Sequence, residues 1–440
     1  MTGAAPMTEA KPGPARPPMA PTPGGMTPAA NSIRLAGENF AASILYLLAG
    51  AAGLVWIAPE LAIGAYPSPH VAGITHLFTL GWITTTIFGA LAQLLPVALG
   101  APIRSTRVGH ASFFTFAPGV GFFAAGIAAS SLAIQHTGIA LITVGIVLEV
   151  GNIAASLPRA KNRDVTWGAV TIAISYLAST LVLGVILLHN LHSGFIANAR
   201  LTTLATHLHV ALVGWVLMMI VGVSHRLLPM FLLAHGADTR WTKRSLVLLS
   251  VGVLVLATGL VAHLAPSVWL GAALIDCGIG AFIWQAYSFY RVRVRKKLDV
   301  GLRFAMTGIV FLAVAAVLGS ALVVLGPMHA RLATMYIVVG LLGGIVLYVV
   351  GFFYKIVPLL AWTARFRGRM GKGPVPTVAQ LYSAKVAYIQ LGVMTLAVVL
   401  LASGVGAGIT HLTRCGAVLF LAGVVLFISQ RARVAFGGRT

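Results

Sequence analysis

The chain has 440 residues, of which 58% are hydrophobic and 9% charged, against about 25% charged in an average soluble protein. That balance excludes an ordinary soluble domain, and apolar runs long enough to cross a hydrocarbon layer of roughly 30 Å recur along most of the chain. The 30 Lys+Arg against 8 Asp+Glu give +22, but these charges sit in short connections between apolar runs, so they report topology rather than a nucleic-acid partner.

Residues 1–33 are rich in Pro, Ala and Gly and lack the apolar core of a signal peptide, which predicts a disordered tail. Residues 34–430 form the transmembrane domain, and 431–440 a short C-terminal tail. Hydropathy and breakers predict twelve helical spans, starting near Phe40, His70, Ala111, Ala133, Trp167, Leu201, Ser245, Ser267, Leu302, His329, Leu381 and Leu412. The expected fold is therefore all-α and polytopic, with lipid as its surroundings. Cys277 and Cys415 each lie inside an apolar run, which offers neither a disulfide framework nor a Cys-based metal site.

The connections after the even spans are basic: Arg104 and Arg107, then Arg159, Lys161 and Arg163, then Arg240, Lys243 and Arg244, then Arg291 to Lys297, then Arg365 to Lys372. The positive-inside rule places them, and both termini, on the cytoplasmic side of a bacterial-type inner membrane. Arg226 and Lys355, near the cytoplasmic ends of their spans, read as interfacial anchors. In this orientation His70, His76, His136, His189, His192, His207, His209, His263, His329 and His411 share the outer side, ten of the thirteen histidines. A cofactor layer near that face accounts for the clustering better than accident.

An internal threefold repeat emerges in residues 70–98, 201–233 and 329–361. Gly81, Gly89, Gln93 and Pro96 match Gly214, Gly222, Arg226 and Pro229, and again Gly343, Gly351, Lys355 and Pro358, at identical spacing. With four spans per copy, this predicts three four-helix units. Glycines eight apart also suit close helix packing in membranes. His76 and His209 occupy the same position of the first two copies, and Val338 stands there in the third.

Span 6 opens with His207 and His209, and helical residues two apart point about 200° from each other, so they cannot chelate one metal ion from a regular helix. They can serve two haem irons on opposite sides of it. The run from His207 through His209, Gly214, Trp215 and Gly222 to Pro229 resembles the haem-binding helix of haem-copper oxidase subunit I, especially the cbb3 type. The motif covers about 25 residues, and the family architecture of twelve helices in three arcs of four matches the whole transmembrane region. The resemblance implies haem b, with His76 and His209 as axial ligands of a low-spin haem and His207 as proximal ligand of a second, high-spin haem. It also implies a cytochrome or quinol electron donor and a diatomic gas, O2 or NO, as what is bound or reduced.

Two departures accompany this resemblance. The family carries its His-x-His on the tenth helix, here on the sixth, and its copper site uses an adjacent His-His pair that this chain lacks. Copper held instead by His189, His192, His263 and His329 is an expectation from the affinity of imidazole for copper. Looser similarity links the chain to the haem- and copper-containing membrane proteins of the nitric oxide response (NnrS). A secondary transporter without haem remains open, since such proteins also use repeats and broken helices. So does a non-catalytic haem subunit that works beside a redox partner. Glu149 and Asp276, acidic residues well inside spans, are proton-relay candidates. Arg331 and Arg414, on the outer side, are candidate partners for haem propionates.

Overall fold

In hydrocarbon every backbone polar group needs an internal partner, which leaves the helix as the solution for these apolar runs. The computed structural model describes residues 30–196, 199–234, 236, 238–326, 329–370 and 373–436. Within them lie twelve helices long and apolar enough to cross a membrane: Ser32–Ala62, Pro69–Ala98, Thr106–Ala128, Leu132–Arg159, Val165–Ser193, Arg200–Leu232, Arg240–Val261, Ala265–Arg291, Val300–Leu325, Ala330–Arg369, Ala384–Ala407 and Thr410–Ala435. They are spans 1 to 12 below. No strand occurs among the described residues.

Both ends differ from the expected tails. The first helix begins at Ala30, and the last runs to Phe436; residues 1–29 and 437–440 lie outside the described residues. Arg431 is the physical reason at the C-terminal end. It is buried, its Nη1 donates to the Phe353 carbonyl at 3.0 Å, and its guanidinium stacks 4.2 Å over the Tyr354 ring, contacts that hold the last helical turns against span 10.

The repeat written in spans 2, 6 and 10 extends to all twelve spans. Spans 3 and 4, 7 and 8, and 11 and 12 pack as hairpins, while spans 1, 5 and 9 pack on spans 2, 6 and 10. A Cβ on Gly81 would come within 2.5 Å of the Tyr46 ring, one on Gly214 within 2.7 Å of Tyr176, and one on Gly343 within 2.6 Å of Phe311. The second glycines do the same: a Cβ on Gly89, Gly222 or Gly351 would meet Asn39, Ala169 or the Gly301 carbonyl. The eight-residue spacing is thus a packing device that seats spans 2, 6 and 10 against spans 1, 5 and 9.

Polar side chains repeat with the same register. Asn152, Gln285 and Gln430 accept from the backbone N–H of Ser105, Thr242 and Ser383 at 3.0, 3.1 and 2.8 Å, each tying the end of a hairpin's second helix to the start of its first. Ser112 and Ser245 donate to the Gly145 and Gly278 carbonyls at 2.9 and 2.8 Å. Asp164 and Asp299 cap spans 5 and 9. Both caps also carry an ion pair: Arg226 pairs with Asp164, and Lys355 with Asp299. In the first copy the corresponding contact is neutral, Gln93 with Ser32 at 3.5 Å.

Each central span also carries a π-helical turn at the same repeat position, Leu77–Thr84, Val210–Leu217 and Val339–Val346. The residue before each turn is His76, His209 or Val338. π turns are rare and concentrate at functional sites, so the repeat marks one depth in the bundle three times.

Candidate cofactor site

Span 2 brings His76 into the bundle with a defined tautomer. Its Nδ1 lies 2.7 Å from the Ala72 carbonyl, which can only accept, so Nδ1 carries the proton and Nε2 keeps its lone pair free. His209 repeats the arrangement on span 6, with Nδ1 2.8 Å from the Ala205 carbonyl. An imidazole held this way is prepared as a metal ligand, because the backbone bond fixes both ring orientation and the atom presented.

His76 and His207 both line a cavity of about 220 Å³ enclosed by spans 1 to 6 and 10. Their ring centroids are 6.5 Å apart. The walls are mostly apolar, including Leu54, Ile142, Leu177 and Leu341, with Thr75, Thr79, Thr84, Thr180 and Thr334 as sparse hydroxyls. Phe123 stands edge-on to His76 at 5.1 Å. Trp215 Nε1 donates to Thr84 Oγ1 at 3.1 Å, joining spans 6 and 2 beside the cavity. His207 Nδ1 is buried and makes no hydrogen bond of normal geometry, an orphaned ligand atom in the wall of the space.

His209 faces the other way. Its Nε2 meets the Tyr336 hydroxyl of span 10 at 3.3 Å, with the rings stacked at 6.1 Å. It is absent from the cavity lining that holds His76 and His207. The structure thus brings His207, not His209, opposite His76. The reason is rotational. His209 is the repeat equivalent of His76, and Tyr336 of His207, so both contacts run the same way around the bundle and equivalent residues do not face each other.

The other expected residues are dispersed. Among the described residues no group of three or more His, Cys, Asp or Glu side chains comes together to hold a metal ion, which corrects the copper expectation. His192 meets Gln135 at 2.9 Å and His136 at 5.9 Å between centroids, and His189 packs on Phe195. His263 lies in the turn after span 7 and His329 precedes span 10. Glu149 is buried one turn beyond Ile146, on the face of span 4 that also carries Ile139 and Ile142 into the cavity wall. Asp276 accepts from Ser320 at 2.5 Å. Neither carboxyl lines the cavity.

Arg331 packs against Gly64 and Gly408, and Arg414 is exposed on span 12; neither lines the cavity. Arg200 does, beside Tyr66 and Pro67 at the end where spans 2 and 6 begin. Its sequence signal is slight: a single arginine at the start of span 6. Tyr336 also escaped notice, although it stands in the third copy where His207 stands in the second.

No protein-family model matches this chain, and no curated protein matches its sequence. Its fold is similar to that of a chain in a haem-copper terminal oxidase dimer, with a TM-score of 0.60 and 11% identity over 94% of this chain and 85% of that chain. The likeness is one of architecture.

Proposed function

We propose that this chain is an integral-membrane haem b protein of oxidase-like fold that carries electrons, with one haem held between His76 and His207. The observation that supports it most is the 6.5 Å separation of two imidazoles across an apolar cavity. Two metal–imidazole bonds of about 2 Å plus the ring half-widths give roughly 6 Å between centroids. The orphaned Nδ1 of His207 and the free Nε2 of His76 fit the same role.

Haem bound there would supply one-electron chemistry, and imidazole on both faces suits electron transfer rather than gas binding. The protein's part is fixed by its own residues. The Ala72 carbonyl holds His76 in its ligand tautomer. The apolar wall excludes water and favours the less charged redox state. Arg200 at the mouth offers a guanidinium to a carboxylate of the group. The reading extends to a bacterial cytoplasmic membrane with cytoplasmic termini, and to a cytochrome or quinol as electron donor.

The reduced-minus-oxidised optical spectrum of the purified protein tests it, with iron and haem quantified per chain. A b-type spectrum lost in His76→Ala and in His207→Ala, and kept in His209→Ala, is expected. A colourless wild-type protein after expression with adequate haem supply would overturn it, as would loss confined to His209→Ala.

A further inference from the structure

The three hairpins of the repeat have matching register, so each position has two internal comparisons. At the basic end of the span 7 and 8 hairpin, Trp241, Arg244, Trp284 and Tyr287 lie on the outward face. Trp284 and Tyr287 are 51% and 48% exposed. The rings of Trp241 and Trp284 are 6.4 Å apart, and those of Trp284 and Tyr287 5.8 Å. Arg244 lies 4.4 Å over the Trp241 ring.

The same four positions in the span 3 and 4 hairpin are Val108, Ala111, Gly151 and Ala154, and in the span 11 and 12 hairpin Val386, Ile389, Ser429 and Ala432. Their exposure follows the same pattern in all three hairpins. Two copies therefore build this fold with small and aliphatic residues at these places, and neither the hairpin packing nor general compatibility with lipid requires the aromatic and cationic set.

Around that shelf the charge is unbalanced. Arg240, Lys243, Arg244 and Arg291 are exposed, and the nearby acid, Asp238, is paired with Arg240. Lys243, Arg244 and Arg291 make no ion pair among the described residues. Arg240, Lys243 and Arg291 stand in the terminal turns of their helices and Arg244 in the next turn, where basic residues flank the apolar spans. Stacking on Trp241 fixes the Arg244 guanidinium while leaving its N–H edge free for a phosphate, and an aromatic shelf suits the glycerol and upper acyl region.

We propose that this face of the span 7 and 8 hairpin is a binding site for one anionic phospholipid of the surrounding bilayer, with Arg244 on its phosphodiester and Trp241, Trp284 and Tyr287 against its glycerol end.

Native mass spectrometry of the full chain, supplied with phosphatidylglycerol or phosphatidylcholine, tests this. Wild type should retain one phosphatidylglycerol and release phosphatidylcholine. Arg244→Glu and Trp284→Leu should each lower retention at least tenfold, while Ala111→Glu at the matching place of the span 3 and 4 hairpin leaves it unchanged. Arg244→Ala, which removes one charge from an outward-facing position, serves if the glutamate variant does not fold. Equal retention of the two lipids overturns the proposal, as does undiminished retention in the Arg244 variant. Displacement of the lipid by a soluble polyglutamate peptide would also overturn it, in favour of an acidic protein partner.

Discussion

Between the first and second repeats, His76 and His207 stand across a cavity. Between the second and third, His209 and Tyr336 occupy the same two positions and touch. In the third copy, Val338 stands where His76 and His209 do, and Ile74 of the first copy matches His207 and Tyr336. One backbone plan thus yields an imidazole pair, an imidazole with a phenol, and no titratable group. The comparison teaches that one backbone position recurs three times, and that side-chain identity and free volume decide whether the residues meeting there touch or face a cavity.

The largest expected effect separates the two histidines of span 6. His207→Ala and His76→Ala should each remove the b-type absorbance completely, whereas His209→Ala should keep its position and most of its amplitude. Recording all three at equal protein concentration checks this, and equal losses would erase the distinction between the two contacts. Tyr336→His probes the second contact from the other side. It creates a second imidazole pair with no cavity between its members, so haem per chain should stay at one; a rise toward two would show that this contact opens as the first does.

Smaller effects concern the packing common to both contacts. A Cβ on Gly351 would lie 2.5 Å from the Gly301 carbonyl oxygen and 2.9 Å from the Ala305 nitrogen, backbone atoms that cannot rotate away. Gly351→Ala should cost about 1–3 kcal/mol and lower the thermal unfolding midpoint. Gly392→Ala, where a Cβ meets nothing within 4 Å, should show no such loss. The smallest change is expected from Asp299→Asn, which removes the pairs with Lys355 of span 10 and with Arg295 and keeps a side-chain oxygen for the span 9 cap. Partly exposed pairs contribute about 1 kcal/mol or less, so a small drop in midpoint with an unchanged optical spectrum should result.

Much of the fold was legible because its signals are local. Twelve apolar runs gave twelve helices, with most starts within a few residues, since length and hydropathy suffice to specify a membrane helix. The first helix begins earlier than expected because Ser32, polar enough to read as part of a tail, is buried in the bundle. Of the candidate site, His76 and His207 were named from the sequence, and the structure brings His76 opposite His207 rather than His209. Arg200 was missed because a lone arginine has no periodicity to mark it. The hairpin amides Asn152, Gln285 and Gln430 were missed because the spacing between the second and third copies differs here from that of the glycine and proline pattern.

The amino-acid sequence by itself determined that the chain has twelve helices able to span a membrane, that it is built of three similar units, and that His76 and His209 occupy matching positions in two of them. These follow from hydropathy, charge and spacing, which are properties of short segments. Only the tertiary structure decided which imidazoles share a space, which arginine stands at its mouth, and which acids are paired with helix-borne cations. Those outcomes depend on how helices distant in sequence are rotated about their axes, and rotation is set by glycine contacts and π turns acting across the bundle rather than along one helix.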